Sequence, residues 1–196
     1  WDAQNRLSGI SAPGESWQFE YDGLGNRSAV LHNGERTEYL VDPTGLGQVI
    51  AEYGSGGTLR AHYACRSGPL ARLGPGGSRH FLSFDPNGNT ALLTDAGGEI
   101  TNRYEYLPFG AETTALEGIP LPFRFGGAAG LVTLGNGEVF IRNRQYDPAL
   151  GRFLSRDLAP PTGLNTYAYA GNDPVNFGDV TGLSAIADWG WWGLQL

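Results

Sequence analysis

Two aspartates in the last quarter of the chain, Asp157 and Asp179, are residues that could perform acid–base chemistry. They stand 22 residues apart, and each lies in a turn-rich stretch flanked by aromatic residues. Two carboxyl groups brought close together can share one proton, because ionising the first makes it harder to ionise the second. The pair predicts a general acid and a general base, provided that the fold joins the two turns.

Composition argues against several other chemistries. The net charge of −7 and the 13 mostly scattered arginines, with no lysine, argue against nucleic acid as a partner, because phosphate backbones attract clustered basic residues. A single cysteine, Cys65, excludes an internal disulfide framework, and we expect a packed thiol there. The three histidines lie far apart, so we expect no metal and no cofactor. No apolar run is long enough to span a membrane.

A repeat of about twenty residues runs through the first half of the chain and must build the scaffold for those carboxylates. Its pattern is a large apolar residue, Asp, two further residues, and then Gly or Asn. Asp can accept hydrogen bonds from amides two residues on, while Gly or Asn adopts the positive φ of the turn. Readable copies begin at Trp1, Tyr21, Val41 and Phe84, and decayed copies begin at Tyr63 and Tyr106.

These units predict an all-β fold, a spiralling antiparallel sheet of stacked β-hairpins. The 31 glycines are interleaved with aromatic residues, and alternation over residues 16–21 is typical of a strand. A single hairpin cannot bury its apolar face alone, so the units must stack on one another. From residue 123 the pattern changes, and we predict strands over 123–127, 137–146 and 152–155.

Two resemblances cover most of the chain. The repeated units resemble the YD repeats of Rhs, Tc-toxin C-component and teneurin proteins over about residues 1–110. Residues 123–183 are similar to the Rhs repeat-associated core domain, whose pattern runs Arg, Tyr-Asp-Pro, Gly-Arg-Phe, Ser-x-Asp-Pro, Asn-x-Tyr-x-Tyr, Asn-x-Pro and Asp-Pro-x-Gly-Leu. The matching landmarks are 144, 146–148, 151–153, 155–157, 165–169, 172–174 and 179–183.

The resemblance implies a division of labour along the chain. Residues 1–122 would be part of a hollow β shell, a cocoon, and residues 123–183 a core domain that coils inward and cuts its own chain by an aspartic-protease-like mechanism. Asp157 and Asp179 would form the catalytic pair, supported by Arg144, and the cut would fall between Leu183 and Ser184.

The same resemblance implies the partners. Residues 184–196 would be a post-cleavage segment or the start of a C-terminal cargo, often a toxin, that stays inside the shell. Other shell or secretion-apparatus chains would be further partners, and the location would be secreted or at the cell surface, as in bacterial toxin delivery. A tryptophan-rich natural end that packs into the shell is the other interpretation of residues 184–196.

Departures from the family pattern leave alternatives open. Leu158 and Val180 stand where the family has proline, which favours the alternative of a non-cleaving structural or adhesion module. Residues 42–46 match the terminal Asp-Pro-x-Gly-Leu motif better than 179–183 do, but they are in register with the repeat, so we expect a turn and no cleavage there. Arg142 and Arg152 compete with Arg144 for the supporting role, and structural roles are expected for both.

Overall fold

The structure, a computed structural model, describes residues 1–157, 165–183 and the strand at 186–187. Within these residues the regular elements are β-strands and four short 3-10 turns. The strands are β1 (Gly9–Ala12), β2 (Glu15–Tyr21), β3 (Arg27–His32), β4 (Glu35–Asp42), β5 (Gln48–Gly54), β6 (Leu59–Cys65), β7 (Pro69–Leu73), β8 (Arg79–Phe84), β9 (Thr90–Asp95), β10 (Ile100–Tyr106), β11 (Glu112–Glu117), β12 (Val132–Thr133), β13 (Val139–Ile141), β14 (Arg144–Asp147), β15 (Arg152–Phe153), β16 (Phe177–Gly178) and β17 (Ile186–Ala187). The 3-10 turns span Ser55–Gly57, Pro75–Gly77, Gly127–Ala129 and Ala170–Asn172.

The first eleven strands form one antiparallel sheet in which every strand pairs with its neighbours in sequence. This arrangement confirms the predicted all-β fold of consecutive hairpins. Alternation in β2 buries Trp17 and Phe19 and exposes Ser16, Gln18 and Glu20, because successive side chains of a strand point to opposite faces.

The repeated aspartates make the turns that the sequence predicts. Oδ1 of Asp22 accepts hydrogen bonds from the amides of Leu24 and Asn26, both at 2.9 Å, and Gly25 follows with a φ of 89°. The same bonds recur at Asp85, with the amides of Asn87 and Asn89. Each such turn ends one strand and returns the chain as the next.

A β-bulge recurs at the same place in each of the five hairpins from β2–β3 to β10–β11. At each place, the strand that follows the turn carries one more residue than its partner strand. A bulge bends its strand and increases the local right-handed twist. These five hairpin bulges therefore give the sheet a repeated, same-handed deformation. The extra residues are Ser28, Ile50, Leu70, Ala91 and Thr113.

The segment between β11 and β12 does not form the strand predicted over residues 123–127, and that prediction was wrong. Its backbone bonds to a repeat turn instead: the Phe123 carbonyl accepts from Thr90 Oγ1 at 2.7 Å, and the Gly126 amide donates to Asn89 Oδ1 at 2.9 Å. The Phe123 and Phe125 side chains are buried. The segment thus fixes the second part of the chain against the large sheet.

The strand predicted over 137–146 is a hairpin, β13 and β14, joined by a two-residue turn at Arg142 and Asn143. Arg142 adopts a φ of 47°, in the left-handed region, which reverses the chain. The strand predicted over 152–155 is shorter, comprising β15 alone. β12 to β15 make a four-stranded antiparallel sheet. The hairpin turn at 142–143 is the element that shapes the candidate site.

Three buried clusters hold these parts together. The first joins side chains of the large sheet, such as Tyr63 and Leu93, to Phe123 and Val132. The second is mostly aromatic and includes Phe125, Tyr146, Phe153 and Tyr169. The third packs side chains of the large sheet, such as Trp17, against Leu134. The first cluster contains residues from both sides of residue 122. The division into domains at 1–122 and 123–183 therefore stays a prediction. Within the described residues, no helix is long and apolar enough to cross a membrane.

Candidate functional site

Arg144 lies at the centre of the candidate site. It is the first residue of β14, its side chain is only 5% exposed, and its guanidinium stacks at 3.6 Å over the ring of Phe153. Its Nη1 donates to the carbonyl of Thr166 at 3.1 Å. The aromatic cluster and this bond fix the guanidinium in one orientation.

The structure brings both predicted aspartates to one nitrogen of Arg144. Nη2 lies 3.0 Å from Oδ2 of Asp157 and 3.5 Å from Oδ2 of Asp179. The Asp157 side chain is 17% exposed, while that of Asp179 is 2% exposed. The two carboxylates are therefore neighbours, but one is partly exposed to water and the other is enclosed.

Asp179 closes a tight turn around its own carboxylate. Its Oδ1 accepts hydrogen bonds from the amide of Gly182 at 2.7 Å and from both the amide and the hydroxyl of Thr181 at 3.1 Å. Oδ1 is thereby occupied by donors, and Oδ2 is the oxygen that faces Arg144. A proton on Asp179 would be carried on Oδ2.

Burial dominates the electrostatics of this pair. It raises the pKa of Asp179 above its ordinary value, although the hydrogen bonds from Gly182 and Thr181 and the charge of Arg144 oppose the shift. Burial also lowers the pKa of Arg144, against the pull of both carboxylates. An aspartate whose pKa is raised in this way can act as a proton donor.

The turn of the β13–β14 hairpin binds three consecutive carbonyls of the segment that precedes Leu183. Arg142 Nη1 donates to the carbonyl of Val180, and Arg144 Nε donates to that of Gly182. Between them, Asn143 Nδ2 donates to the carbonyl of Thr181 at 2.9 Å. We call residues 142–144 the carbonyl clamp.

Gly182 lies so close to the hairpin that no side chain fits there. Its φ is 73°, and a Cβ atom would lie 2.3 Å from the carbonyl oxygen of Ile141 and 3.2 Å from the amide nitrogen of Arg144. Both the positive φ and the missing space require glycine. This close approach lets the clamp reach the carbonyl of Gly182.

The remaining residues of the sequence prediction lie at the surface or outside the described part of the chain. Leu183 is 37% exposed, and its amide donates to Thr181 Oγ1 at 3.2 Å. Ser184 and Leu158 lie outside the described residues, as do all the tryptophans after residue 183. Arg152 is exposed and stacks on Tyr167, and the ion pairs of Asp157 and Asp179 are with Arg144 instead.

Sequence reasoning missed Asn143 and assigned Arg142 a structural role only. The structure shows that Arg142 does bind scaffold, through Nε to the carbonyl of Leu46 at 2.8 Å and Nη2 to that of Ala129 at 2.7 Å. It also binds Val180, next to Asp179. Three consecutive side-chain donors at 142–144, directly after a buried strand, were the signal that could have indicated a binding turn.

The competing motif at residues 42–46 has the same turn in a different setting. Oδ1 of Asp42 accepts from the amide of Thr44 at 2.9 Å and from its hydroxyl at 2.7 Å. These bonds lower the pKa of Asp42. In the described part of the chain, no ion pair joins Asp42 to an arginine, and no group of three or more metal-ligating side chains occurs among the same residues.

Comparison with known proteins identifies relatives in sequence. Residues 1–39 match the family described as RHS Repeat. The chain is 27% identical over 184 residues to the tRNA nuclease WapA of Bacillus subtilis strain 168, covering 89% of this chain and 8% of WapA. It is 30% identical over 199 residues to the probable deoxyribonuclease RhsB of Dickeya dadantii, covering 95% and 14%, and 26% identical over 166 residues to Teneurin-m of Drosophila melanogaster, covering 80% and 6%.

Solved structures share the fold. The crystal structure of TcdB2–TccC3 superposes with a TM-score of 0.71 at 20% identity, covering 93% of this chain and 10% of that chain. A Photorhabdus luminescens Tc holotoxin pore superposes with a TM-score of 0.71 at 19% identity, covering 96% and 10%. At this identity the likeness shows the fold alone. The chain spans about a tenth or less of the length of most of these proteins.

Proposed function

We propose that this chain, a YD-repeat protein related to Rhs, WapA and teneurin proteins, is part of an encapsulating β shell that cuts its own backbone between Leu183 and Ser184. One observation carries the proposal. A single buried arginine contacts both Asp157 and Asp179 and also binds the carbonyl of Gly182, one residue before the bond in question. The same side chain thus connects the acid–base pair to its substrate.

The mechanism follows from the unequal environments of the two carboxyl groups. Asp179, which is enclosed and has a raised pKa, holds the proton on Oδ2 and donates it to the carbonyl oxygen of Leu183. Asp157, which is partly exposed to water and lies 3.0 Å from Arg144, accepts a proton from the attacking water molecule. As the tetrahedral intermediate collapses, Asp157 passes the proton that it took from water to the Ser184 nitrogen, which leaves as an amine. The intermediate returns a proton to Asp179, and Leu183 becomes a carboxylic acid.

Besides the acid–base pair, a fixed position of the scissile bond should also speed cleavage. The carbonyl clamp and the Asp179 turn fix residues 179–182 on both sides, so the bond after Leu183 is presented in one place. Enzyme and substrate are one chain, so the reaction has no cost of association. Cleavage is a single turnover, and it needs no metal or cofactor.

Because this chain spans about a tenth or less of the length of most of its relatives, it can form only part of a shell. We infer that the remaining wall comes from further repeats or partner chains, and that the enclosed partner is the polypeptide following Leu183, a cargo such as a toxin. WapA is a tRNA nuclease and RhsB a probable deoxyribonuclease, so a toxic cargo fits this chain's relatives. The location that fits is secreted or at the cell surface.

The test is the intact mass of the freshly synthesised chain. We expect the wild type to yield a fragment that ends at Leu183 and a second that begins at Ser184. Asp157→Asn should stay whole, because an amide cannot accept the proton from water. Asp147→Asn is the matched control: Asp147 caps a turn through the amides of Ala149 and Leu150, so its variant should be cut like the wild type.

Two results would contradict the proposal. A wild-type chain that stays whole would show that the pair does not cut, and a new amino terminus at another residue would remove the assignment of Leu183. The first result would favour the alternative of a non-cleaving structural module, for which the Arg144–Asp157–Asp179 contacts are a buried ion-pair network. In that case Asp179→Asn would change stability and nothing else.

A further inference from the structure

A groove of about 760 Å³ lies beside the candidate site. One wall belongs to the large sheet and the turn at residues 42–46, and the other includes Arg142, Gly178 and Val180. The groove thus runs between the two turns that share the terminal motif. Its volume is in the range of pockets that bind sizeable organic groups.

The lining of the groove is apolar and partly open to water. Leu40 and Leu46 are each 48% exposed, Leu59 is 37% exposed, and Ile50 is half-buried beside them. Large aliphatic side chains left in water in one concave place are typical of a binding surface. Polar groups are present at its edge, including the carboxylate of Asp42 and the amide of Gln48.

The chain that follows Leu183 leads to this groove. β17 (Ile186–Ala187) pairs with β16 (Phe177–Gly178), with Gly178 opposite Ile186, and Gly178 lines the groove. The next nine residues of the sequence, 188–196, include three tryptophans and two leucines. We propose that this groove binds the tryptophan-rich segment 188–196 of the same chain.

The chemistry of the two surfaces matches. An indole ring combines a large apolar face with one N–H donor, so it is best bound where aliphatic walls stand beside an acceptor. The groove offers both, with leucine and isoleucine side chains next to Asp42 and Gln48. The tether through β17 keeps the segment at high effective concentration. The β16–β17 pairing spans the Leu183–Ser184 bond, so the segment is tethered covalently before a cut and held by this pairing after it.

Cys65 provides a direct readout, because it lines the groove and is the single cysteine of the sequence. Burial raises the pKa of its thiol to about 11, so alkylation should be followed at one alkaline pH for all variants. In the full-length chain, replacing Trp189, Trp191 and Trp192 together by Ser should speed alkylation of Cys65 by about tenfold, because the cover is lost. Trp1→Ser, at a tryptophan that is 53% exposed, is the matched control and should change nothing.

A second variant changes the lining of the groove instead of the segment that binds it. Leu40→Glu places a charge in the apolar lining at an exposed position that the core does not need, and it should likewise expose Cys65 and shift tryptophan emission to longer wavelength. Equal alkylation rates in wild type and the triple variant would overturn the proposal. Protection that grows with protein concentration would also overturn it, since the occupant would then be a second copy.

The same measurement in an Asp157→Asn background separates this proposal from autoproteolysis. In this uncut chain the triple tryptophan substitution should again speed alkylation of Cys65, so the result does not depend on whether the wild type is cut. Addition of a synthetic peptide of residues 184–196 to the triple variant should restore protection, and a peptide with its three tryptophans replaced by serine should not. Failure of the native peptide to protect would contradict the assignment of these residues as the occupant.

Discussion

The turn at residues 42–46 and the turn at residues 179–183 have the same pattern: Asp, any residue, Thr, Gly, Leu. Both aspartates accept hydrogen bonds from the amide and hydroxyl of the threonine two residues on, and Gly45 and Gly182 have φ values of 63° and 73°. Local conformation is therefore the same at the two places, and five residues of sequence are enough to specify it.

Their surroundings are opposite. Asp42 remains in contact with water, and its hydrogen bonds lower its pKa, whereas burial raises the pKa of Asp179. Arg144 of the carbonyl clamp contacts the Asp179 carboxylate, and Asn143 of the same clamp binds the Thr181 carbonyl. Local sequence determines the turn, but the packing of distant residues determines whether the turn can do chemistry.

Replacing Asp179 and Asp42 separately should give the largest difference between the two turns, measured as the rate of cleavage. Asp179→Asn should slow cleavage after Leu183 by about 10³-fold or more, since the acid of a catalytic pair is lost. Asp42→Asn keeps a side chain that can cap the turn and should leave cleavage unchanged. Intact mass over a time course of synthesis measures both. If Asp42→Asn also blocked cleavage, the two turns would not differ in the way described.

The glycines should differ in stability. Gly182→Ala forces a Cβ against the Ile141 carbonyl in addition to the positive φ, and we expect a loss of about 3–5 kcal/mol together with loss of cleavage. Gly45→Ala meets no atom within 4 Å, so only the φ penalty of about 1–2 kcal/mol applies. Denaturant unfolding of both variants in an Asp157→Asn background compares them. Equal losses would mean that the hairpin yields to the new methyl group.

The loss of one clamp bond should have a moderate effect. Asn143→Ala removes the donor to the Thr181 carbonyl, and we expect about tenfold slower cleavage with a loss of stability of about 1 kcal/mol. Asn143→Asp, which keeps the size but lacks the donor, should be slowed similarly. Asn136→Ala, in the exposed turn before β13, is the control. Unchanged cleavage in both Asn143 variants would remove the clamp from the mechanism.

The dependence of stability on pH should have opposite sign at the two turns. Asp179 has a folded-state pKa above its ordinary value of 3.8, so its contribution is fully present below 3.8 and is lost as pH rises through the raised pKa. Asp42 has a lowered folded-state pKa, so its contribution is present above 3.8 and is lost as pH falls through that lower pKa. The free energy of unfolding against pH, with Asp157→Asn as the reference and Asp179→Asn or Asp42→Asn added, measures each sign.

The same titration should appear in the reaction. Because Asp179 must carry a proton to act as the acid, cleavage should slow as pH rises above its raised pKa. Refolding the chain at a series of pH values and quenching for mass analysis would give the profile. A rate that increases through this range would reverse the roles assigned to Asp157 and Asp179.

The repeat half of the fold could be predicted from sequence because its information is local. The Asp and Gly spacing gives the turns, and alternation in β2 gives the strand faces, so the order of strands followed directly. The second half was predicted less well. Residues 123–127 resemble a strand in composition, yet they bond to the side chain of Asn89 and to Thr90, more than thirty positions earlier.

The candidate site shows the same limit. Sequence motifs that resemble those of the Rhs core domain identified Asp157, Asp179 and Arg144, and the structure brings these three residues together. Asn143 was not, because its role depends on a hairpin turn meeting residues 180–182 about 38 positions later. Neither propensity nor periodicity records which carbonyls a side-chain donor will reach.

The hairpin bulges have a consequence for how such a chain can change length. These five occur on every second strand from β3 to β11, always on the strand that follows the turn of a repeat unit, while β6 and β10 carry two further bulges. Gain or loss of a whole hairpin keeps these five bulges at the same end of the strands, whereas a change by one strand would move all later hairpin bulges to the opposite end. Evolution and protein engineering should therefore resize this wall in steps of two strands, with the number of hairpins setting how far it curves.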